Sequence, residues 1–339
     1  MKAIFTKRNH IRKSFFIVFS FAISGILHAQ QIDISRINSM PDFPQPYEMR
    51  DWKQVAAGYD SLVFDKDLTG QYQPFVFFRE QSVNYPEYAS FGLHTAVGTN
   101  YPVSGEGINV IPAVVGATLV GIDKSDQFDE NWALMIQEYF NKRPAENIYL
   151  NHPSTSSGFD WWYETMPNIF FMQLKYLYPE ISVFQEQLPV LAMQWLHAVR
   201  AMGGSDTPWA VPYMNYRAWN MSEMEPLDQG VKQPEAAGAL AWILYNAYIS
   251  TGNPEFLKGA EWSMEFLDEW ESNPSYELQL PYGIYAAARM NAEIGTNYNV
   301  EKMVNWAFDR GDLRGWGAIS GNWGSYDCYG LIGEANDNG

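Results

Sequence analysis

Residues 235–270 read "EAAGALAWILYNAYISTGNPEFLKGAEWSMEFLDEW". The first half, as far as Ser250, is apolar nearly all round, which predicts a helix buried on every side. Gly252 suits a helix C-cap, Asn253 an N-cap and Pro254 the first position of the next helix. In that second helix Phe256, Ala260, Met264 and Leu267 follow one another at helical spacing and form one face. The stretch is an αα-hairpin: a buried inner helix, a tight turn and an amphipathic outer helix.

Outward from this hairpin the unit recurs. Residues 281–295, "PYGIYAAARMNAEIG", end at Gly295 and turn through "TNYN" into "VEKMVNWAF". Upstream, "WWYETMPNIFFMQLKYLY" turns at Pro179, and Leu188, Leu191, Ala192, Trp195 and Val199 then share one helical face. Earlier still, "NVIPAVVGATLVGI" precedes "NWALMIQEYF", where Trp132, Ile136, Tyr139 and Phe140 form a stripe. The β-branched content of the first of these also fits a strand; the repeat around it selects a helix. A leading helix is expected in "MRDWKQVAAGYDSLVF". The result is four hairpins and a leading helix, with long connections at 72–107, 142–160, 203–234 and 309–339 on one side of the pattern. Repeated helix pairs point to a solenoid or a closed ring, and long loops gathered on one face carry function.

The first 29 residues have the form of an export signal. A basic segment holds Lys2, Lys7, Arg8, Arg12 and Lys13, an apolar run "FFIVFSFAISGIL" follows, and Ala29 closes it. The expected domains are therefore a signal peptide at 1–29 and one α/α domain at 30–339, in the periplasm or outside the cell. No Cys follows the apolar run, so the signal is not of the lipoprotein kind, and no later stretch is long enough to span a bilayer. The signal holds five of the 22 basic residues and none of the 39 acids, leaving 17 against 39, a net charge of −22. Such a surface is a poor partner for nucleic acid or anionic membrane. Aromatics at 16% argue against disorder. Thirteen Trp and 21 Tyr suit stacking on sugar rings, or equally a large core filled with aromatics. The single cysteine, Cys328, permits no internal disulfide.

"YNAYISTGNPEFLKGAEWSMEFL", "FDWWYETMPNIFFMQLKYLYP" and "PYGIYAAARMNAEIG" together resemble the secreted bacterial six-hairpin glycosidases, over roughly residues 105–310. The resemblance implies an all-α (α/α)6 toroid, an inner and an outer ring of helices. It also implies a cleft where the inner helices begin, with carboxylate acid–base catalysis on carbohydrate. The chain departs from that pattern at its end, "GEANDNG", which no helix follows. Either the ring is open, or the toroid is incomplete at the C-terminus.

Glycoside hydrolysis needs two carboxyl groups across the scissile bond, one of them protonated. A raised pKa follows from partial burial among aromatics. The candidates are therefore acids beside aromatics at the loop ends of inner helices. Glu164 follows Trp161, Trp162 and Tyr163, with Asp160 as the alternative in the same stretch. Glu235 starts the next inner helix, and Asp327 lies at the centre of "GWGAISGNWGSYDCYGLIGEANDNG", followed by Glu334 and Asp337. Each has a plainer reading: Asp160 as an N-cap, Glu164 and Glu235 as first-turn acids favoured by the helix dipole, the last stretch as a tail. Glu106, in "SGEGINV", fits a cap better than catalysis. The sugar-binding candidates are Trp161, Trp162, Tyr163, Asn215, Tyr216, Arg217, Trp323 and Tyr326. Of the adjacent Trp161 and Trp162, about 100° apart on a helix, at most one faces a sugar.

Other chemistries find less support. No His or Cys pair has zinc-ligand spacing, no G-x-S-x-G elbow is present, and "GEG" at 105–107 lacks the third glycine of a dinucleotide motif. No metal or cofactor is expected. The sequence reads as a secreted glycoside hydrolase acting on an oligo- or polysaccharide. Two alternatives stand beside it: a polysaccharide lyase using His152, Tyr213, Tyr216 and Arg217, and a non-catalytic glycan-binding protein.

Overall fold

The computed structural model describes residues 32–33, 51–70, 73–94, 105–143 and 145–309, and the backbone of four short strands between 317 and 335. The expected signal peptide lies outside these residues. The chain divides between Ile34 and Ser35, and every element below belongs to the second unit. In chain order these are α1 (Trp52–Phe64), β1 (Val76–Phe78), β2 (Phe91–Leu93), α2 (Gly107–Leu119) and α3 (Trp132–Met135), which runs into a 3-10 turn at Ile136–Tyr139. Next come α4 (Trp161–Leu177), α5 (Ser182–Ala201), β3 (Ser205–Asp206), β4 (Trp209–Ala210), β5 (Ala218–Asn220) and β6 (Glu225–Leu227). Then follow α6 (Ala236–Thr251), α7 (Pro254–Glu269), α8 (Gln279–Ile294), α9 (Val300–Ala307), β7 (Gly317–Ile319), β8 (Asn322–Trp323), β9 (Tyr326–Asp327) and β10 (Gly333–Ala335).

The fold is all-α, with the strands among the described residues confined to two-stranded antiparallel sheets. Helices α2, α4, α6 and α8 lie side by side in chain order, α1 packs on α2, and α5, α7 and α9 each pack on the helix they follow. The α6–α7 hairpin has the local chemistry its sequence dictates. Gly252 caps α6 at φ 70°, and the Asn253 side chain accepts from the Glu255 N–H ahead of α7. Every residue from Ala236 to Ala247 is buried, so α6 has no solvent face in its first three turns. Its Leu240, Ile243 and Leu244 each contribute about 1.5–3 kcal/mol by leaving water. In α7, Phe256, Ala260, Met264 and Leu267 form the buried face. The α8–α9 turn repeats the device, with Gly295 at φ 77° and Asn299 accepting from the Lys302 N–H.

The first pair of helices departs from expectation. The β-branched stretch after residue 106 is the helix α2, because Val110, Ile111, Val114 and Val115 all find core at helical spacing. Its partner "NWALMIQEYF" is not an outer helix but one α-turn and one 3-10 turn. Gln137 and Glu138 are buried along with Trp132, Ile136 and Tyr139, so the segment has no outward polar face. Phe140 leaves in extended backbone to bridge Tyr149. The long connections also hold the hairpins β1–β2, β3–β4 and β5–β6, which the sequence shows only as loops. Among the described residues no helix is long and apolar enough to cross a membrane.

Candidate functional site

Hydrogen bonds tie the starts of α2, α4, α6 and α8 to one end of the array. Gln233, just ahead of α6, donates to Asp160 at the N-cap of α4 (2.7 Å). Gln279, the first residue of α8, donates to Gln233 (3.3 Å) and to Thr165 of α4 (3.4 Å). Asn151 holds the start of α2. Its carbonyl accepts from Gly107 N–H (2.7 Å), its Oδ1 from Ile108 N–H (3.1 Å), and its Nδ2 donates to Glu106 Oε1 (2.8 Å).

A cleft of about 350 Å³ opens at this end between α2 and α4. Glu106, Asn151, His152, Phe159, Tyr163 and Glu164 line it, with Thr155 and Ser156. Phe159 and Tyr163 are exposed aromatics at its rim. Glu106 stands at the N-cap position of α2, yet its side chain makes no capping bond. The capping role expected of it is taken instead by Asn151. Among the described residues, Glu106 Oε2 has only a long contact, 3.4 Å, from Asn109 Nδ2. Burial holds the His152 imidazole below its ordinary value, against the pull of Glu106 and with the help of Arg79.

Glu164 has a different setting. Its Oε1 accepts the N–H groups of Gly158 (2.7 Å), Phe159 (2.8 Å) and Asp160 (3.1 Å), and its Oε2 that of Trp219 (3.0 Å). Gly158 makes this convergence possible at φ 96°, a backbone that side chains disfavour. Reaching back to the N-cap N–H while Asp160 accepts from Trp162 N–H, Glu164 completes a reciprocal cap. Burial pushes its carboxyl up to about 7, although the four N–H groups pull the other way.

The remaining candidates fall in several places. Glu235 is fully buried and lines no portion of the cleft; Glu277 N–H (2.5 Å) and Leu280 N–H (3.2 Å) occupy its two oxygens. Burial raises it to about 8. The catalytic role expected of it gives way to that of a loop anchor, because it is fully buried and reaches no part of the cleft. Asp160 is the N-cap of α4 and is ion-paired with Arg217. Trp161 is fully buried against Trp195, and Trp162 is packed partly buried on the core, so of the three adjacent aromatics Tyr163 alone lines the cleft. Asn215, Tyr216 and Arg217 do not line it: Asn215 donates to Tyr213, Tyr216 packs edge-on against Tyr213, and Arg217 donates to Tyr276. The side chains of Trp323, Tyr326 and Asp327 lie outside the described residues, as do those of Glu334 and Asp337. Asn151 carries no sequence signal beyond the histidine that follows it and the long connection it lies in, and Phe159 none beyond opening the aromatic stretch that leads into α4. Among the described residues no three His, Cys, Asp or Glu side chains group as metal ligands.

Comparison with protein-family models, with curated proteins and with solved structures finds no match to this chain.

Proposed function

We propose that the chain is an exported carbohydrate-active enzyme that hydrolyses glycosidic bonds by paired-carboxylate chemistry, on a toroid of α/α hairpins. The observation that carries this reading is the cleft at the shared start of the inner helices. Two carboxyl groups in different settings, Glu106 and Glu164, line it together with exposed Phe159 and Tyr163. Divergent environments for two carboxyls are what acid–base work on a glycosidic bond requires. Glu106, partly exposed and lightly bonded through Oε2, is the base or nucleophile. Glu164, pushed up to about 7, is the proton donor through Oε2, while Oε1 anchors the 158–160 turn.

A lyase is the second reading, favoured by one observation: His152, kept neutral by burial, lines the same cleft as Tyr163. The two separate in a single assay on a panel of neutral and acidic polysaccharides. New reducing ends without the ultraviolet absorbance of unsaturated uronates are expected. Reducing ends with that absorbance transfer the site to a lyase, and binding without either product removes catalysis altogether.

A further inference from the structure

A second cleft, of about 190 Å³, opens between α1 and α2, as the first does between α2 and α4. Tyr59 and Leu62 of α1, Phe75, Leu93, His94 and Asn109 line it. The two clefts share the first turn of α2. Glu106 stands in one and Asn109 in the other, and Asn109 Nδ2 reaches Glu106 Oε2 at 3.4 Å. Side chains three apart on a helix are about 5–6 Å from one another, within reach of a single sugar ring. Each cleft also carries exposed aromatic surface: Phe159 at 68% and Tyr163 at 41% in the first, Tyr59 at 59% in the second. An aromatic ring left that open contributes little to the core, and a flat apolar face with a polar tip suits a sugar ring.

We infer that the two clefts are one glycan-binding groove crossing the first turn of α2, so that an oligosaccharide lies on both sides of Glu106 and stacks its far end on Tyr59. This rests on the hydrolase reading and adds to it the class of ligand. Among the described residues, the lining of the second cleft brings apolar surface, a phenol, an amide and an imidazole but no carboxylate or lysine. It fits neutral sugar units, and binding on both sides of the reacting carboxyls means cleavage within a chain rather than at its end.

The test uses the full chain and oligosaccharides of two to six units prepared from the polysaccharide it cleaves in the panel. For the wild type, kcat/KM is expected to rise with length, because contacts remote from the bond are drawn on in the transition state. Tyr59→Ala and Asn109→Ala each lower kcat/KM about ten-fold more on the six-unit chain than on the two-unit chain. Thermal unfolding confirms that both surface variants fold. If neither variant depends on chain length, the groove stops at Glu106 and this inference falls while the hydrolase reading stands. If the wild type cleaves nothing in the panel, the hydrolase reading falls first and takes the groove with it.

Discussion

Gly238 of α6 and Gly283 of α8 meet backbone to backbone. A Cβ on Gly238 would lie 2.8 Å from the Gly283 Cα, and one on Gly283 would lie 2.7 Å from the Gly238 Cα. Neither neighbour is a side chain that can swing away, so an added methyl must push α6 and α8 away from each other. Gly283→Ala is expected to cost at least the ~1–3 kcal/mol typical of overpacking. Urea unfolding followed by tryptophan fluorescence measures this, and an unchanged midpoint would mean that the two backbones do not meet here.

Glu164→Gln separates the proton donor from the loop anchor. As a donor, Glu164 is irreplaceable by an amide, and kcat on a cleaved glycan is expected to fall by about 10²–10⁴-fold. The alkaline limb of the wild-type pH profile, expected near pH 7, should disappear with it. Full activity with lowered thermal stability would leave Glu164 as an anchor alone.

Glu235 makes stability depend on pH. Its carboxyl is raised on folding from an ordinary 4.5 to about 8 by burial. Between those values the folded chain keeps a proton that the unfolded chain has lost, so stability falls as pH rises. The contribution is fully present below about 4.5 and lost as pH passes about 8, with a slope of up to about 1.4 kcal/mol per unit. Glu164, raised to about 7, adds a second fall of the same sign that ends lower. Melting temperatures measured from about pH 5 to about pH 8 should decline, and Glu235→Gln should flatten the decline. A wild-type profile that rises over this range contradicts the description of both groups.

Lys124 and Asp60 form a buried ion pair. Their Nζ and Oδ1 atoms are 2.8 Å apart with 0% and 2% of the side chains exposed, and the ammonium sits 3.0 Å above the centre of the Phe64 ring. Asp60→Ala leaves that ammonium in the core with the neutral Gln127 side-chain carbonyl but without its counter-charge, at an expected cost of ~3–5 kcal/mol. Adding Lys124→Met should restore most of the loss, since the charge and its need for a partner leave together. Denaturant unfolding of the two variants measures both steps. A double variant no better than the single one would place the damage in packing around Phe64 and Trp132 rather than in the charge.

The features legible in the sequence are those governed by neighbours a few positions apart. Gly252, Asn253 and Pro254 announce the α6–α7 turn, and the faces of α5 and α7 follow from helical spacing alone. Where a segment's form is set by distant chain, the pattern misleads. Trp132, Ile136 and Tyr139 fit one side of a helix, but Glu138 between them is drawn inward by the N–H groups of Val83, Asn84 and Tyr85. The candidate site divides in the same way. Aromatic neighbours single out Glu164, and the cleft does reach it. Glu235 likewise stands at the start of a helix, though without aromatic neighbours, and the residues that begin α8 close over it. Glu106 looks like a cap until Asn151, more than forty positions away, is seen to take that role.

Glu138, Glu164 and Glu235 each grip two or more main-chain N–H groups of a connecting segment, and the N–H is the one donor that every residue except proline carries. Apart from Gly158, held at φ 96°, side chains along the gripped segments are therefore free to change without loosening the hold, provided no proline enters at the bonded positions. The rim of the cleft can diversify its chemistry while the helices beneath it stay as they are. Over evolutionary time the binding preference of such a scaffold is expected to drift faster than its architecture.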